Sequence, residues 1–230
     1  MALKRLAIIP ARGGSKRLPG KNTMDFMGKP IIEYTIAAAK QSGLFTDIVV
    51  NTDDDNAAAI AQRCGVSVFR REAHLGTDTS SINDVCMDYL QRFQAENNWQ
   101  ELVILYATAP LRTAADISAT VALLESGECE VAMAVTGYDH PVHQALLQGE
   151  DGYTHALFPE WINLKSQHAP QMLVGNGSTY ATWIDFFMQT QNMYPQKLKT
   201  YVMPPERSVD IDTRHDYDCA VFFATQAGIN

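Results

Sequence analysis

The sequence predicts a three-layer α/β/α fold in which helices cover both faces of a mostly parallel central sheet. Short apolar segments alternate with amphipathic helical segments along most of the chain, which is typical of parallel α/β proteins. The strands are almost wholly apolar, as expected when both sheet faces are covered. With 230 residues, 46% of them hydrophobic, the chain is long enough for one substantial core.

Local signals give the order of the elements. The first strand, residues 6–9, ends at Pro10, and Pro30 stands where a helix begins that Ser42-Gly43 stops. The acidic turn 51–55 caps the following helix. By the same reasoning we predict further strands at 48–50, 66–69, 102–106, 131–135 and 199–203, and helices at 56–64, 81–97, 116–125, 181–189 and 213–226.

Residues 138–177 break this alternation. The segment is rich in His, Gln, Pro and Gly and has no long helical period. We interpret it as a small arm inserted into a single domain that spans residues 1–230.

Composition excludes several classes of protein. No apolar run approaches the ~20 residues that span a bilayer, and the first strand is too short for a signal-peptide core, so we expect a cytoplasmic protein without membrane segments. The four cysteines (Cys64, Cys86, Cys129, Cys219) lie far apart without a CxxC pair, which favours reduced thiols over a zinc site or disulfides.

The charge is unevenly distributed. The net charge is −8, yet residues 1–29 carry +6 and the remainder carries −14. An acidic body argues against nucleic-acid binding, which needs an extended basic surface. A compact basic segment suits a small polyanion such as a nucleoside triphosphate.

The loop after the first strand, residues 11–22, is the first candidate site. Ligands in open α/β sheets bind beyond the carboxyl ends of the strands. Gly13 and Gly14 allow close backbone approach to a phosphate, and four basic side chains lie within the ten positions 12–21. The spacing fits neither a P-loop nor a dinucleotide fingerprint. The alternative is a solvated basic loop. The basic side chains are Arg12, Lys16, Arg17 and Lys21.

An acid pair, Asp210 and Asp212, is the second candidate site. We expect it at the end of a strand, where positions i and i+2 point to the same side. Two carboxylates suit Mg²⁺, or Mn²⁺ in its place, completed by phosphate oxygens and water. Spacing alone leaves open a solvated pair that caps the following helix.

The run 9–17, Ile-Pro-Ala-Arg-Gly-Gly-Ser-Lys-Arg, together with Gly20-Lys21-Asn22, resembles the signature of the acylneuraminate cytidylyltransferases, the CMP-sialic acid synthetases. That family activates sialic acid and its bacterial relatives, pseudaminic and legionaminic acids. The resemblance covers essentially the whole chain. It implies a Rossmann-like fold of the nucleotide-diphospho-sugar transferase type and favours the metal reading of the acid pair.

The resemblance also implies roles for individual residues in binding CTP. Arg12 and Lys21 would contact the triphosphate, Asn22 the ribose and Arg71 the cytosine, while Asp78 and Ser80 or Ser81 fall in the segment that lines the nucleotide pocket. The expected nucleotide-binding residues are Ala11, Arg12, Gly13, Gly14, Ser15, Lys16, Lys21, Asn22, Arg71 and Ser80.

The match is weaker at the sugar end. Tyr106 replaces a Gln of the sialic acid enzymes, and the run 106–110 is more similar to pseudaminic-type enzymes. The run 165–168, Lys-Ser-Gln-His, replaces Arg-Arg-Gln-Asp, a segment that in the family reaches the sugar of the partner subunit, which implies a homodimer. Strand-end packing for Tyr106 and an interface role for Gln144 remain alternatives. The expected sugar-binding residues are Tyr106, Thr108, Arg112, Gln144, Lys165, Gln167, Asn176 and Tyr180.

The implied reaction is attack of the anomeric hydroxyl of an acidic nine-carbon sugar on the α-phosphorus of CTP. Arg12, Lys21, Asp210 and Asp212 are the expected catalytic residues. CMP-KDO synthesis and a non-catalytic nucleotide-binding regulator on the same fold are the alternatives.

Overall fold

A computed structural model describes residues 3–76 and 80–229, and it confirms the predicted fold class. Within those ranges the strands are β1 (Arg5–Pro10), β2 (Asp25–Phe26), β3 (Lys29–Pro30), β4 (Asp47–Thr52), β5 (Ser67–Arg70), β6 (Glu101–Leu105), β7 (Val131–Gly137), β8 (Leu146–Gln148), β9 (Thr154–Ala156), β10 (Leu173–Trp183) and β11 (Leu198–Val202). The helices are α1 (Ile31–Ser42), α2 (Asp55–Arg63), α3 (Ile82–Asn97), α4 (Ala114–Glu125), α5 (Ile184–Thr190) and α6 (Arg214–Gln226).

Seven of these strands form the central sheet, in the order β11-β7-β10-β6-β1-β4-β5. β10 runs antiparallel to both its neighbours, β6 and β7, while the other neighbouring strands pair in parallel. The carboxyl ends of β1, β4, β5 and β6 therefore lie at one edge of the sheet.

Successive side chains of a strand point to opposite faces of the sheet, and this explains the three layers. Ala7 and Ile9 of β1 pack into a core with α1, α2 and α4, whereas Leu6 and Ile8 pack into a second core with α3 and α5. These β1 side chains are fully buried, and burial of each large one stabilises the folded state by about 1.5–3 kcal/mol. α6 closes a third, smaller cluster that contains Ile211.

Helix starts follow local capping chemistry. Asp54 caps α2 by accepting from two backbone N–H groups, and Thr113 forms a capping box with Asp116 at the start of α4. Because Asp116 occupies the third position of that box, α4 begins at Ala114, two residues before the predicted start.

The prediction was wrong around β10. Residues 173–177 were expected in the arm and residues 181–189 in a helix, but 173–183 form one strand and α5 begins at Ile184. The register of β10 against β7 shifts between Gly175 and Tyr180, which interrupts the apolar alternation that marks a strand.

The arm itself contains the β8–β9 hairpin and two short 3-10 turns, Val142–Gln144 and Ser166–His168. The four cysteines are free thiols. Among the helices that the structure describes, none has the length and apolar character needed to cross a lipid bilayer.

Candidate active site

A cavity of about 270 Å³ opens where β1, β4, β5 and β6 end. It gathers side chains from the basic loop, from the segment after β5, from the loop after β6 and from the segment before α6. The predicted site residues that line it are Arg12, Lys21, Asn22, Arg71, Ser80, Tyr106, Thr108, Asp210 and Asp212.

The basic loop is held against β4. The backbone N–H of Ala11 donates to the carbonyl of Asn51 (2.9 Å), and its carbonyl accepts from the hydroxyl of Thr52. Asn22 is buried and donates to the carbonyl of Arg12 (2.9 Å), which sets the direction of the loop. Both polar backbone groups of Ala11 are therefore engaged within the protein.

The two glycines of the loop differ in their surroundings. The N–H of Gly13 donates to Oδ1 of Asp53 (2.8 Å), and a Cβ at Gly13 would meet Oδ2 of Asp54 at 3.2 Å. Gly14 faces open space. Ser15 and Lys16 continue the loop outside the cavity lining. The carboxylate of Asp53 thus accepts the hydrogen bond of one of the N–H groups that were predicted to face a phosphate.

The acid pair faces the cavity from an extended segment between a 3-10 turn (Pro205–Arg207) and α6, not from a strand end as expected. Buried Ile211 lies between the two acids, and its N–H donates to the carbonyl of Thr108 (2.9 Å). The hydroxyl of Thr108 donates to Oδ1 of Asp210 (2.5 Å). Thr108 therefore anchors both the backbone and a side chain of this segment.

The pKa values of the two carboxyl groups are shifted in opposite directions. Burial, reinforced by Asp212, raises the pKa of Asp210. Burial alone would also raise the pKa of Asp212, but Lys21 and Arg17 outweigh it and hold that pKa below its usual range. Lys21 contacts Oδ1 and Arg17 contacts Oδ2 of Asp212, each at 2.5 Å.

The donor set determines what the acid pair can bind. In residues 3–76 and 80–229 no group of three or more His, Cys, Asp or Glu side chains is arranged to hold a metal ion. A cation at Asp210 and Asp212 would have to complete its coordination with substrate phosphate and water, a mode of binding common for Mg²⁺.

Tyr106 lies between this cavity and a second one of about 260 Å³. Its ring packs on that of Tyr180 with centroids 5.3 Å apart. Burial raises the pKa of both phenols, that of Tyr180 to about 12, so both remain protonated donors at neutral pH. The second cavity also contains Tyr194 and several amide side chains.

Arg112 does not reach either cavity, contrary to the expectation that it binds sugar. Only 3% of the residue is exposed, and its guanidinium donates to the carbonyl of Ser178, to the hydroxyl of Thr35 (2.6 Å) and to the carbonyl of Tyr106 (3.0 Å). Burial lowers its pKa to about 9. Its position joins β10 to the loop after β6, which is a structural role.

Other expected sugar residues also lie outside the cavity lining. Asn176 is buried and donates to the hydroxyl of Ser208 (3.0 Å). Gln144, Lys165 and Gln167 are exposed on the arm. Asp78, expected in the nucleotide pocket, lies outside the described residues.

Two residues that shape the site, Asn51 and Gly177, were not among the predicted site residues. Asn51 was assigned to a helix-capping turn, but its side chain accepts from Arg71. Gly177 allows the closest approach in the site, because a Cβ there would lie 2.6 Å from Oδ2 of Asp210. The Asn-Gly sequence at 176–177 was the available signal, since it is typical of positive φ, here +68°.

Comparisons with known proteins point to one family. The sequence profile of a family described as cytidylyltransferase matches residues 6–147. A pseudaminic acid cytidylyltransferase from Campylobacter jejuni is 29% identical over 95% of both chains. A CMP-N,N'-diacetyllegionaminic acid synthase from Legionella pneumophila is 32% identical over 94% of both chains. An N-acylneuraminate cytidylyltransferase from Streptococcus agalactiae is 32% identical, over 94% of this chain and 52% of its own length.

A solved structure of CMP:2-keto-3-deoxy-manno-octonic acid synthetase in complex with CTP superimposes with a TM-score of 0.72 at 19% identity, covering 97% of this chain and 99% of that one. At this identity the likeness establishes a shared fold.

Proposed function

This chain belongs to the cytidylyltransferase family, and we propose that it transfers CMP from CTP to the anomeric hydroxyl of a nine-carbon 2-keto acid sugar, releasing pyrophosphate. The observation that carries the proposal is the single cavity that brings Arg12 and Lys21 together with Asp210 and Asp212. Three similar proteins are named for pseudaminic, legionaminic and N-acylneuraminic substrates, which supports the sugar class.

In the proposed reaction, the anomeric oxygen forms a bond to the α-phosphorus of CTP while the bond to the bridging oxygen of pyrophosphate breaks. Negative charge accumulates on the phosphate oxygens, and Arg12 and Lys21 stabilise it within a partly buried cavity. The fixed loop orients the nucleotide, so positioning and electrostatics provide most of the rate enhancement.

We further propose that Asp210 and Asp212 hold Mg²⁺, or Mn²⁺ in its place. A bound divalent cation would neutralise charge on the α-phosphate and on the leaving pyrophosphate. Thr108 orients the carboxylate of Asp210, and Lys21 and Arg17 keep that of Asp212 ionised. The acid pair also favours an enzyme over a non-catalytic regulator, which has no need of two carboxylates beside a phosphate site.

For the sugar branch, we propose a pseudaminic-type acid. Tyr106 and Tyr180 place two protonated phenols beside the second cavity, and the run 106–110 resembles that of pseudaminic-type enzymes. CMP-KDO synthesis has less support, because the neighbour named for that reaction is 19% identical and shares the fold alone.

We also propose a homodimer formed through the arm. The hairpin exposes large apolar side chains, with Leu146 64%, Leu147 61% and Tyr153 71% exposed. An apolar patch of this kind is typical of an interface. In a dimer, Gln144, Lys165 and Gln167 would be available to the partner's sugar site, which fits their exposure here. Sedimentation of Leu147→Asp as a monomer, beside a dimeric parent protein, would support this assembly.

The central test is Mg²⁺-dependent pyrophosphate release from CTP, with pseudaminic, legionaminic and N-acetylneuraminic acids and KDO offered separately. We expect release with a nine-carbon acid, fastest with pseudaminic acid, and loss of release in the double variant Asp210→Ala with Asp212→Ala. Intact turnover in that variant would refute the role of the acid pair. Absence of release with all four sugars, on folded protein that binds CTP, would refute the sugar class.

A further inference from the structure

Asn51 connects two parts of the proposed nucleotide site. It is 1% exposed and pairs with Pro10 of β1 on one side and with Phe69 of β5 on the other. Its carbonyl accepts from the N–H of Ala11 (2.9 Å) and from Nη2 of Arg71 (3.3 Å). One buried residue thus contacts both the start of the basic loop and the arginine that lines the cavity.

The contact with Arg71 has two points. Nε of Arg71 donates to the side-chain Oδ1 of Asn51 (2.8 Å), and Nη2 donates to the Asn51 carbonyl. Nε and Nη2 form one edge of the planar guanidinium, so a contact to both fixes the plane of the group. Among the described residues, its other hydrogen bond, from Nη1 to the carbonyl of Leu75, is long at 3.5 Å.

A fixed plane matters for reading a pyrimidine base. Cytosine presents two neighbouring acceptors, O2 and N3, whereas uracil presents an acceptor at O2 and a donor at N3. A guanidinium held in one plane donates to both cytosine atoms but meets the N3–H of uracil with another donor. A site built to satisfy such groups rejects the mismatched analogue, because polar atoms are left unpaired.

We infer that Asn51 is a positioning residue that fixes the guanidinium plane of Arg71 and thereby sets the preference for CTP over UTP. The inference rests on the proposed use of CTP and extends it to the residue that orients base recognition. The side-chain oxygen is the atom that acts, because Nδ2 of Asn51 is buried without a hydrogen-bond partner in the part of the chain that the structure describes. An aspartate at position 51, which keeps this oxygen, should therefore still accept the hydrogen bond from Arg71.

The test compares Asn51→Ala, Asn51→Asp, Arg71→Ala and the double variant Asn51→Ala with Arg71→Ala, using calorimetric titration with CTP and UTP and steady-state kinetics. For Asn51→Ala we expect CTP affinity to fall about tenfold, equivalent to about 1.4 kcal/mol, and the CTP/UTP preference to fall by a similar factor. Turnover at saturating CTP should stay within about twofold, since the oriented group acts in binding. Asn51→Asp should resemble the parent protein.

The double variant identifies the route of the effect. If Asn51 acts through Arg71, Asn51→Ala should change CTP affinity less than twofold when Arg71 is already absent. Additive losses, or an unchanged CTP/UTP preference in Asn51→Ala, would overturn the inference. If Arg71→Ala itself leaves CTP affinity unchanged, the cytosine contact that the family resemblance implies for Arg71 is wrong, and this inference fails with it, while the proposed CMP transfer is unaffected. Should Asn51→Ala not fold, Asn51→Ser takes its place, because its hydroxyl is too short to reach Arg71.

Discussion

Replacing Gly177 with alanine should reduce turnover about 100-fold by moving the carboxylate of Asp210. A Cβ at Gly177 would lie 2.6 Å from Oδ2 and 2.8 Å from Cγ of Asp210, whereas ordinary contacts begin at 3.4 Å. Asp210 must therefore shift by about 1 Å, and a misplacement of that size costs on the order of 100-fold in rate. The left-handed backbone at Gly177 (φ +68°) adds about 1–2 kcal/mol of strain for alanine.

Gly127→Ala is the matched control. Gly127 has a similar φ of +72°, but a Cβ there meets no atom of the described residues within 4 Å. Both variants should lose about 2–8 °C in Tm from backbone strain, since 1 kcal/mol shifts a protein of this size by about 2–4 °C. Calorimetry measures the backbone strain that both variants share, and pyrophosphate release measures the displacement of the Asp210 carboxylate, which only Gly177→Ala should cause. If Gly177→Ala turns over as fast as Gly127→Ala, the close approach to Asp210 has no catalytic consequence and the reasoning fails.

Three further substitutions test the site. The pKa of Asp210 is raised in the folded protein, so its ionised form lowers the free energy of unfolding at any pH above that pKa. Asp210→Asn should therefore stabilise the protein by about 0.5–2 kcal/mol at pH 7 while abolishing turnover, and the gain in stability should vanish as pH falls through the raised pKa. A lower Tm of the variant at pH 7 would contradict this. Tyr106→Phe should lower kcat/KM for the sugar about tenfold with KM for CTP unchanged, and an equal effect on both substrates would argue against a sugar contact. Arg112→Met should lower the free energy of unfolding in urea by about 3 kcal/mol or more, because buried oxygens lose their hydrogen-bond donor. The preference among sugars should not change. Near-parental stability would show that these contacts contribute little.

The basic loop and the acid pair could be predicted because their chemistry is local in sequence. Four basic side chains and two glycines follow one strand, and two carboxylates stand two positions apart, so each group needs no distant partner to be recognised. The sheet also followed from local patterning, since apolar runs of three to five residues alternate with helical periods.

What escaped prediction depends on contacts between distant residues. Thr108 and Asp210 are separated by 102 positions, and only the folded chain shows that one orients the other. Arg112 was expected at the sugar because of its motif, yet burial directs it to Ser178, 66 positions away. In β10 the glycine-rich bulge concealed the strand, because positive φ at Gly177 breaks the alternation that a strand normally shows.

The antiparallel placement of β10 has a consequence for the order in which the protein folds. β6 and β7 follow one another in sequence but are not neighbours in the sheet, because β10 lies between them. Until residues 173–183 have been synthesised, β6 is an open sheet edge and β7 is not hydrogen-bonded to the strands of the β6-β1-β4-β5 half. Insertion of β10 joins the two halves and positions Gly177, against which Asp210 packs once the later segment has folded, so the acid site cannot form before the two halves are joined. Amide hydrogens of β10 should therefore exchange only through global unfolding, and faster exchange there would show that the two halves hold together without it.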